Sequence, residues 1–388
     1  MQNLFHPGKN AHLWVIGILF GIVLIIPAFG QSPDKAPLIK MGQKNFLPAL
    51  KESQWQRELP APPIKGRCYH SAVWTGDVMI VWGGSSGGKS HFGDGACYDP
   101  STDKWTKLPS APIEPRGCHT AVWAGDAMII WGGYGLQDCA DGASYNPETK
   151  KWQELAPAPI KERIWHTAVW TGEKMIVWGG ISGRYYADGA CYDPKTDKWT
   201  ELPQAPLKER ARHTAVWTGD RMIVWGGQGP KEFYADGASY DPKTDKWEKL
   251  SAAPIRTRGE NSAVWTGDRM IVWGGQDAKE SYSDGAGYDP KTDKWVKLPD
   301  APIDARRLHT AVWTGGNMIV WGGEKSAKLY ADGASYSPRT NKWQELPPAP
   351  IKGRWYHTAL WNGDNMIIWG GWGPDTLFAD GIVYYSAE

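Results

Sequence analysis

Residues 163–202 read RIWHTAVWTGEKMIVWGGISGRYYADGACYDPKTDKWTEL, and close variants of this stretch recur along the chain. A Trp-Gly-Gly triplet marks each copy, 47 to 49 residues from the next, and begins at Trp82, Trp131, Trp178, Trp225, Trp273, Trp321 and Trp369. A fixed period of this length indicates a repeat protein in which each copy is one supersecondary unit. The seventh copy ends at Tyr384, before the Lys-Trp segment that completes the other six.

The segment missing from the seventh copy is found near the start of the chain. Residues 54–67 read QWQRELPAPPIKGR, which matches KWQELPPAPIKGR at residues 342–354. We therefore expect the two ends to pair in one sheet, so that the repeats form a closed ring.

Each repeat predicts four short strands, A to D. In the third copy these are about His166–Trp170, Met175–Trp178, Gly189–Tyr192 and Lys198–Leu202. Thr-Gly favours a tight hairpin between A and B, and Asp-Pro favours a type I turn between C and D. Strands A and B are apolar on both faces, which indicates sheets covered on both sides. Four-stranded sheets stacked around an axis meet this requirement, so we predict an all-β propeller.

The tryptophans support the same arrangement. Of 25 Trp, 21 occupy three repeated positions: after strand A, in the Trp-Gly-Gly triplet, and at the start of strand D. Their periodicity indicates the packing core between blades.

The double glycine after strand B, followed by Tyr192 and Trp199 across the C–D hairpin, resembles the kelch-repeat β-propeller family of the galactose oxidase/kelch-like superfamily. The resemblance covers residues 54–388 and implies a seven-bladed propeller closed by an N-terminal outer strand. The expected blades are residues 66–114, 115–161, 162–208, 209–256, 257–304, 305–352, and 353–388 together with 54–60.

The first 30 residues are typical of an export signal. An apolar run from Leu13 to Ile26 is followed by small residues at Ala28 and Gly30. We expect a cleaved signal peptide or, alternatively, a retained membrane anchor over residues 1–30, and a flexible linker over 31–53. The protein is then a secreted bacterial-type kelch protein, periplasmic or extracellular, with no other membrane contact.

The cysteine and charge content limit which disulfides and which partners can be expected. Cys68, Cys118 and Cys139 fall on one side of the predicted propeller, which permits one disulfide among them in an exported protein. The near balance of 43 basic and 42 acidic residues argues against a basic face for nucleic acid, so we expect no nucleic-acid partner. We also expect the protein to be a monomer.

The strand order separates two faces. The D–A and B–C loops emerge on one side, the variable face, and their sequences differ in every blade. The A–B and C–D turns emerge on the other side and barely change. Loops held on a rigid scaffold commonly carry function, so we place the ligand site on the variable face.

Three sets of residues recur on the variable face. Each Arg has two interpretations: it pairs with an Asp of the same repeat, or it faces a ligand carboxylate or sugar hydroxyl. The Arg are Arg67, Arg116, Arg163, Arg210, Arg258, Arg306 and Arg354, and the Asp are Asp94, Asp141, Asp188, Asp236, Asp284, Asp332 and Asp380. Three residues after each Arg lie His70, His119, His166, His213, Asn261, His309 and His357, which indicates a hydrogen-bonding scaffold position.

The two residues between each Arg and His vary most and supply aromatic and charged side chains. Aromatic rings beside Arg and carboxylates suit a glycan or a peptide. The predicted ligand-binding residues are Arg67, Tyr69, Arg163, Trp165, Arg210, Arg212, Arg258, Glu260, Arg306, Arg354, Trp355, Tyr356 and Trp372.

We therefore predict a non-catalytic propeller without a cofactor that binds a glycan or a protein. The resemblance also implies an alternative, because some kelch-fold enzymes epimerise sialic acid; Glu260 would then be the acid/base, with Arg258 and Arg306 holding the substrate carboxylate. In a second alternative, Tyr69, His70, Tyr356 and His357 resemble the copper ligands of galactose oxidase-type radical enzymes.

Overall fold

The computed structural model describes residues 54–88 and 90–386. The predicted signal peptide and linker lie outside the described residues. The described part is all-β, with seven four-stranded antiparallel sheets, which confirms the predicted fold class. It contains no helix long and apolar enough to cross a membrane.

The strands, numbered in chain order, are β1 (Gln54–Glu58), β2 (Ser71–Trp74), β3 (Met79–Trp82), β4 (Gly95–Asp99), β5 (Lys104–Lys107), β6 (Thr120–Trp123), β7 (Met128–Trp131), β8 (Gly142–Asn146), β9 (Lys151–Glu154), β10 (Thr167–Trp170), β11 (Met175–Trp178), β12 (Ile181–Ser182), β13 (Arg184–Tyr185), β14 (Gly189–Asp193), β15 (Lys198–Glu201), β16 (Thr214–Trp217), β17 (Met222–Trp225), β18 (Gly237–Asp241), β19 (Lys246–Lys249), β20 (Ser262–Trp265), β21 (Met270–Trp273), β22 (Gly285–Asp289), β23 (Lys294–Lys297), β24 (Thr310–Trp313), β25 (Met318–Trp321), β26 (Glu324–Lys325), β27 (Lys328–Leu329), β28 (Gly333–Ser337), β29 (Lys342–Glu345), β30 (Thr358–Trp361), β31 (Asn365–Trp369) and β32 (Gly381–Tyr385).

Blades 1 to 6 each consist of four strands in chain order, beginning at β2, β6, β10, β16, β20 and β24. Blades 3 and 6 insert the small hairpins β12–β13 and β26–β27 between their second and third strands. Blade 7 is β30–β31–β32–β1, so the N-terminal strand forms its outer edge. Each inner strand contacts those of both neighbouring blades, and β2 contacts β30, which closes the ring.

The core lies between blades. Seven apolar clusters each combine residues of two adjacent blades, as predicted from the tryptophan pattern. The Trp-Gly-Gly indoles are fully buried, and the indoles that open the outer strands donate to a carbonyl of the preceding blade, as in Trp199 Nε1 to Ala156 at 2.9 Å. Apolar burial explains why the Trp-Gly-Gly position repeats, and a satisfied indole donor explains the repeat at the start of the outer strand.

The second glycine of each triplet is required by its backbone conformation and by the close approach of another segment. Gly180 has a φ of 103°, and a Cβ there would lie 2.9 Å from the Ile164 carbonyl oxygen. The chain can therefore cross directly above the loop that carries the variable residues only if this position has no side chain.

Candidate functional site

The seven arginines belong to the scaffold. In blade 3 the Arg163 guanidinium donates to the carbonyl oxygens of Gly179 and Lys161 and to Asp188 Oδ1, at 3.0, 2.8 and 2.7 Å. All seven arginines are fully buried, and each forms an ion pair with the Asp of its own blade. Those predicted to bind ligand (Arg67, Arg163, Arg210, Arg258, Arg306 and Arg354) therefore hold the loops together and present no surface to a ligand.

The histidines also belong to the scaffold. Each imidazole Nε2 lies 2.8–3.0 Å from a Ser or Thr hydroxyl of an adjacent blade, as in the pair His119–Ser71. Asn261 replaces the imidazole in blade 5 and reaches Thr214 Oγ1 at 3.4 Å. Burial lowers the pKa of His70, His119, His213 and His309 to about 3, so these rings are neutral links between blades.

Two positions after each Arg, one residue per blade contributes to an axial ring. Its members are Tyr69, Cys118, Trp165, Arg212, Glu260, Leu308 and Tyr356, and every one has a φ between 51° and 57°. Backbone N–H groups link neighbouring members, as in Arg212 to the Trp165 carbonyl at 3.0 Å. Side chains of neighbouring members also contact each other: the ring centroids of Tyr69 and Tyr356 lie 4.1 Å apart, and Arg212 pairs with Glu260 at 2.5 Å.

A buried ion-pair cluster lies on one side of the axial ring. Both carboxylate oxygens of Glu260 are occupied, with Arg212 at 2.5 Å and Arg307 at 2.9 Å. Gln276 also donates to Glu260 at 3.1 Å, and Glu324 pairs with Arg307. The Glu260 side chain is only 3% exposed. Two cations face two anions, so the cluster is electrically balanced and its carboxylates already have partners.

An aromatic strip crosses from blade 7 to blade 1. It consists of Trp372, Trp355, Tyr356 and Tyr69, whose successive ring centroids lie 5.9, 5.2 and 4.1 Å apart. All four residues are half-buried. The Trp372 ring lies over the blade 1 loop, since a Cβ on Gly87 would be 3.4 Å from it. Burial raises the pKa of Tyr356 to about 12, so its hydroxyl stays protonated at neutral pH.

Trp165 forms a second aromatic surface, because the Arg212 guanidinium lies over its ring at 3.8 Å from the centroid. The structure thus groups Tyr69, Trp165, Arg212, Glu260, Trp355, Tyr356 and Trp372 around the axis, separately from the buried arginines. Sequence reasoning missed Arg307, Gln276 and Glu324 as their partners. In every blade the residue after the Arg forms an isolated antiparallel β-bridge with the residue after the double glycine, as Arg307 does with Glu324. This bridge brings Arg307, Gln276 and Glu324 next to the axial ring.

The proposed copper ligands serve two different roles. The imidazoles of His70 and His357 pack between blades, edge-on against Trp369 and Trp321. Tyr69 and Tyr356 instead stack on each other in the aromatic strip. In residues 54–88 and 90–386, no group of three or more His, Cys, Asp or Glu is arranged to hold a metal ion. These side chains do not fit a copper site, and we derive no chemistry through one.

The five cysteines, including Cys68, Cys118 and Cys139, are all free thiols. The disulfide that the sequence permitted is therefore not formed here. Burial raises the pKa of Cys68 and of Cys118 to about 12, which keeps both as thiols.

Comparison with known proteins supports the family. The family described as the KLHDC2/KLHL20/DRC7 Kelch-repeats domain matches residues 39–209 and 166–371. A solved structure titled "Structure of YjhT" is similar with a TM-score of 0.58 and 19% identity, over 74% of this chain and 99% of that one. No curated protein matches the chain. Since the family match spans most of the propeller, the chain belongs to the kelch-repeat family of β-propeller proteins.

Proposed function

We propose that this chain is an exported, non-catalytic kelch propeller that binds a glycan through the aromatic strip on its variable face. The observation that carries the proposal is the continuous row of half-buried rings Trp372, Trp355, Tyr356 and Tyr69. Aromatic faces bind the apolar C–H surfaces of sugar rings, and adjacent polar groups bind the hydroxyls. The phenol groups of the strip and the nearby Arg212 supply such polar groups.

The state of Glu260 favours binding over catalysis. A general acid or base must exchange a proton with substrate at an available oxygen. Both Glu260 oxygens are held by guanidinium groups, and the side chain is almost fully buried. We therefore assign Glu260 to positioning Arg212 beside Trp165.

A glycan array probed with the purified protein tests the proposal. We expect binding to one class of glycan, weakened about tenfold or more by Trp372→Ala or Trp355→Ala, since buried aromatic anchors dominate binding energy. Leu136→Ser is the matched control, because Leu136 is exposed on a different blade and should leave glycan affinity unchanged. Undiminished binding by the Trp355→Ala/Trp372→Ala double variant, or no glycan bound at all, would contradict the proposal.

Export is tested by fractionation of cells that express the full chain. The apolar run from Leu13 to Ile26 supports delivery outside the cytoplasm. We expect the protein outside the cytoplasm and its retention inside when a charged residue replaces Leu19. Equal distribution of the two proteins would argue against an export signal.

A further inference from the structure

Blade 2 lacks an aromatic ring that the other six blades share. In those blades a Phe or Tyr covers the buried Arg, with the guanidinium carbon 4.1–4.4 Å from the ring centroid. The rings are Phe92, Tyr186, Tyr234, Tyr282, Tyr330 and Phe378. Each donates its backbone N–H to the second glycine of the triplet, and in blade 2 the residue that makes this bond is Cys139.

Blade 2 also lacks an ion pair that, in three other blades, lies beside the Phe or Tyr that covers the Arg. In blades 4, 5 and 6 the residue two positions before the Arg and the residue two positions before the aromatic residue have opposite charges. These two side chains form an ion pair at 2.7–3.0 Å. The pairs are Lys208–Glu232, Arg256–Glu280 and Asp304–Lys328. In blade 2 the same positions are Glu114 and Gln137, and Glu114 forms no ion pair within residues 54–88 and 90–386.

A cavity of about 770 Å³ occupies this part of blade 2. Apolar side chains of Leu136, Leu155 and Ala158 line it together with Cys139. Leu136 is 92% exposed at its edge, and Tyr134, in the same loop, is 43% exposed. Of the three exposed large hydrophobic residues in the described part of the chain, two are thus in this one loop. Leu136 itself lines the cavity, so an exposed apolar side chain lies at the cavity edge, where it can pack against a bound partner.

The charge around the cavity is acidic. Glu114, Asp138 and Glu154 line it, and none of the three forms an ion pair within the described ranges. The single lining cation, Arg116, is already bound to both carboxylate oxygens of Asp141, at 2.7 and 3.0 Å. A ligand that enters the cavity therefore meets unneutralised negative charge, which favours a basic partner.

We propose that this cavity binds a segment of a partner protein that inserts one aromatic side chain and carries Lys or Arg next to it. The inserted ring packs against Leu136 and Leu155, on the part of blade 2 where the other blades carry a Phe or Tyr, and Arg116 stays covered by the chain. The neighbouring Lys or Arg pairs with Glu114 or Asp138, as the ion-paired side chains do in blades 4 to 6. This site is in blade 2 and is independent of the aromatic strip of blades 7 and 1.

Panning a phage-displayed library of random dodecapeptides on the immobilised protein tests this proposal. Enriched peptides are then synthesised with a fluorescent label and titrated by anisotropy. We expect an aromatic residue beside Lys or Arg in these peptides, and at least about tenfold weaker binding when that ring is replaced by Ala. Failure to enrich such peptides would overturn the proposal.

Variants at the cavity test separately the contributions of its volume, its apolar edge and its acidic side chains to peptide binding. Cys139→Tyr, which supplies the ring present in other blades, should weaken binding about tenfold or more, whereas Cys139→Ser keeps the cavity open and should change affinity less than about twofold. Leu136→Ser and Glu114→Lys, on the surface, should each weaken peptide binding several-fold. Trp372→Ala, in the aromatic strip, should leave the affinity for the peptide unchanged. Equal affinity of Cys139→Tyr and the unmodified protein would refute the proposal. A dimer in solution that Leu136→Ser dissociates would also refute it, because a second copy would then be the occupant.

Discussion

Trp55 pairs in register with Tyr384, and the two ring centroids lie 4.8 Å apart. The Trp55 indole also donates to the Pro347 carbonyl at 2.8 Å and packs against Trp321 of blade 6. One residue near the N-terminus therefore completes the sheet of blade 7 and joins it to blade 6. The N-terminal strand thus supplies the fourth strand of blade 7, next to the point where the ring closes through the contact of β2 with β30.

Removing the Trp55 side chain should weaken closure of the ring. Trp55→Ala removes the indole hydrogen bond and the contacts with Tyr384 and Trp321, so we expect a loss of about 3 kcal/mol in the free energy of unfolding. Urea denaturation followed by tryptophan fluorescence measures this. Gln56→Ala, an exposed change on the same strand, should cost less than about 0.5 kcal/mol. Equal stability of the two variants would show that closure does not depend on the Trp55 side chain.

Most of the fold could be predicted from the sequence because each blade repeats the same local signals. Strand B of the third copy was expected at Met175–Trp178 and lies there, and strand D ends at Glu201, one residue before the expected Leu202. The small hairpin β12–β13 was not predicted, because Ile181–Ser182 and Arg184–Tyr185 are too short to show a strand pattern.

The site was harder to predict, because burial depends on contacts between distant segments. A surface loop position suggested that Arg258 was available to ligand, but the loop folds back so that Tyr282 and Asp284 enclose it. The axial ring was not visible either, since nothing in Trp165 or Leu308 as residue types indicates a left-handed backbone.

Acid should destabilise the protein steeply. Burial lowers the pKa of His70, His119, His213 and His309 to about 3 and those of His166 and His357 well below 6.5. Below about pH 6.5 the unfolded chain therefore binds protons that the native protein excludes, and stability falls with pH. Each imidazole contributes up to about 1.4 kcal/mol per pH unit. Urea unfolding at pH 7.5, 6.0 and 5.0 measures the slope.

A single substitution checks that the imidazoles cause this slope. His119→Asn introduces the residue that blade 5 carries naturally at Asn261, so the blade contact is kept while one titrating group is lost. Proton uptake on unfolding at pH 5 should then decrease by about one. An unchanged pH dependence in this variant would assign the acid sensitivity to other groups.

All five cysteines should be present as thiols in the native protein. Burial raises the pKa of Cys68, Cys97 and Cys118 to about 12, so few thiolates exist at pH 8 and reaction with a thiol reagent should be slow. In denaturant without reductant, five thiols per chain should react with Ellman's reagent. A count of three in protein recovered from outside the cytoplasm would instead reveal a disulfide.

Glu260 should contribute to stability more than its loop position suggests. Glu260→Gln removes the charge that Arg212 and Arg307 share, leaving two nearby guanidinium groups with only Glu324. We expect a loss of about 3 kcal/mol in the free energy of unfolding, since breaking a buried ion pair leaves uncompensated charge. Glu280→Gln, in an exposed pair with Arg256, is the control and should cost less than about 1 kcal/mol. If Glu260→Gln leaves stability unchanged but abolishes a sugar-converting activity, Glu260 acts in that reaction and the protein is an enzyme, which would contradict both the structural role of Glu260 and the non-catalytic proposal.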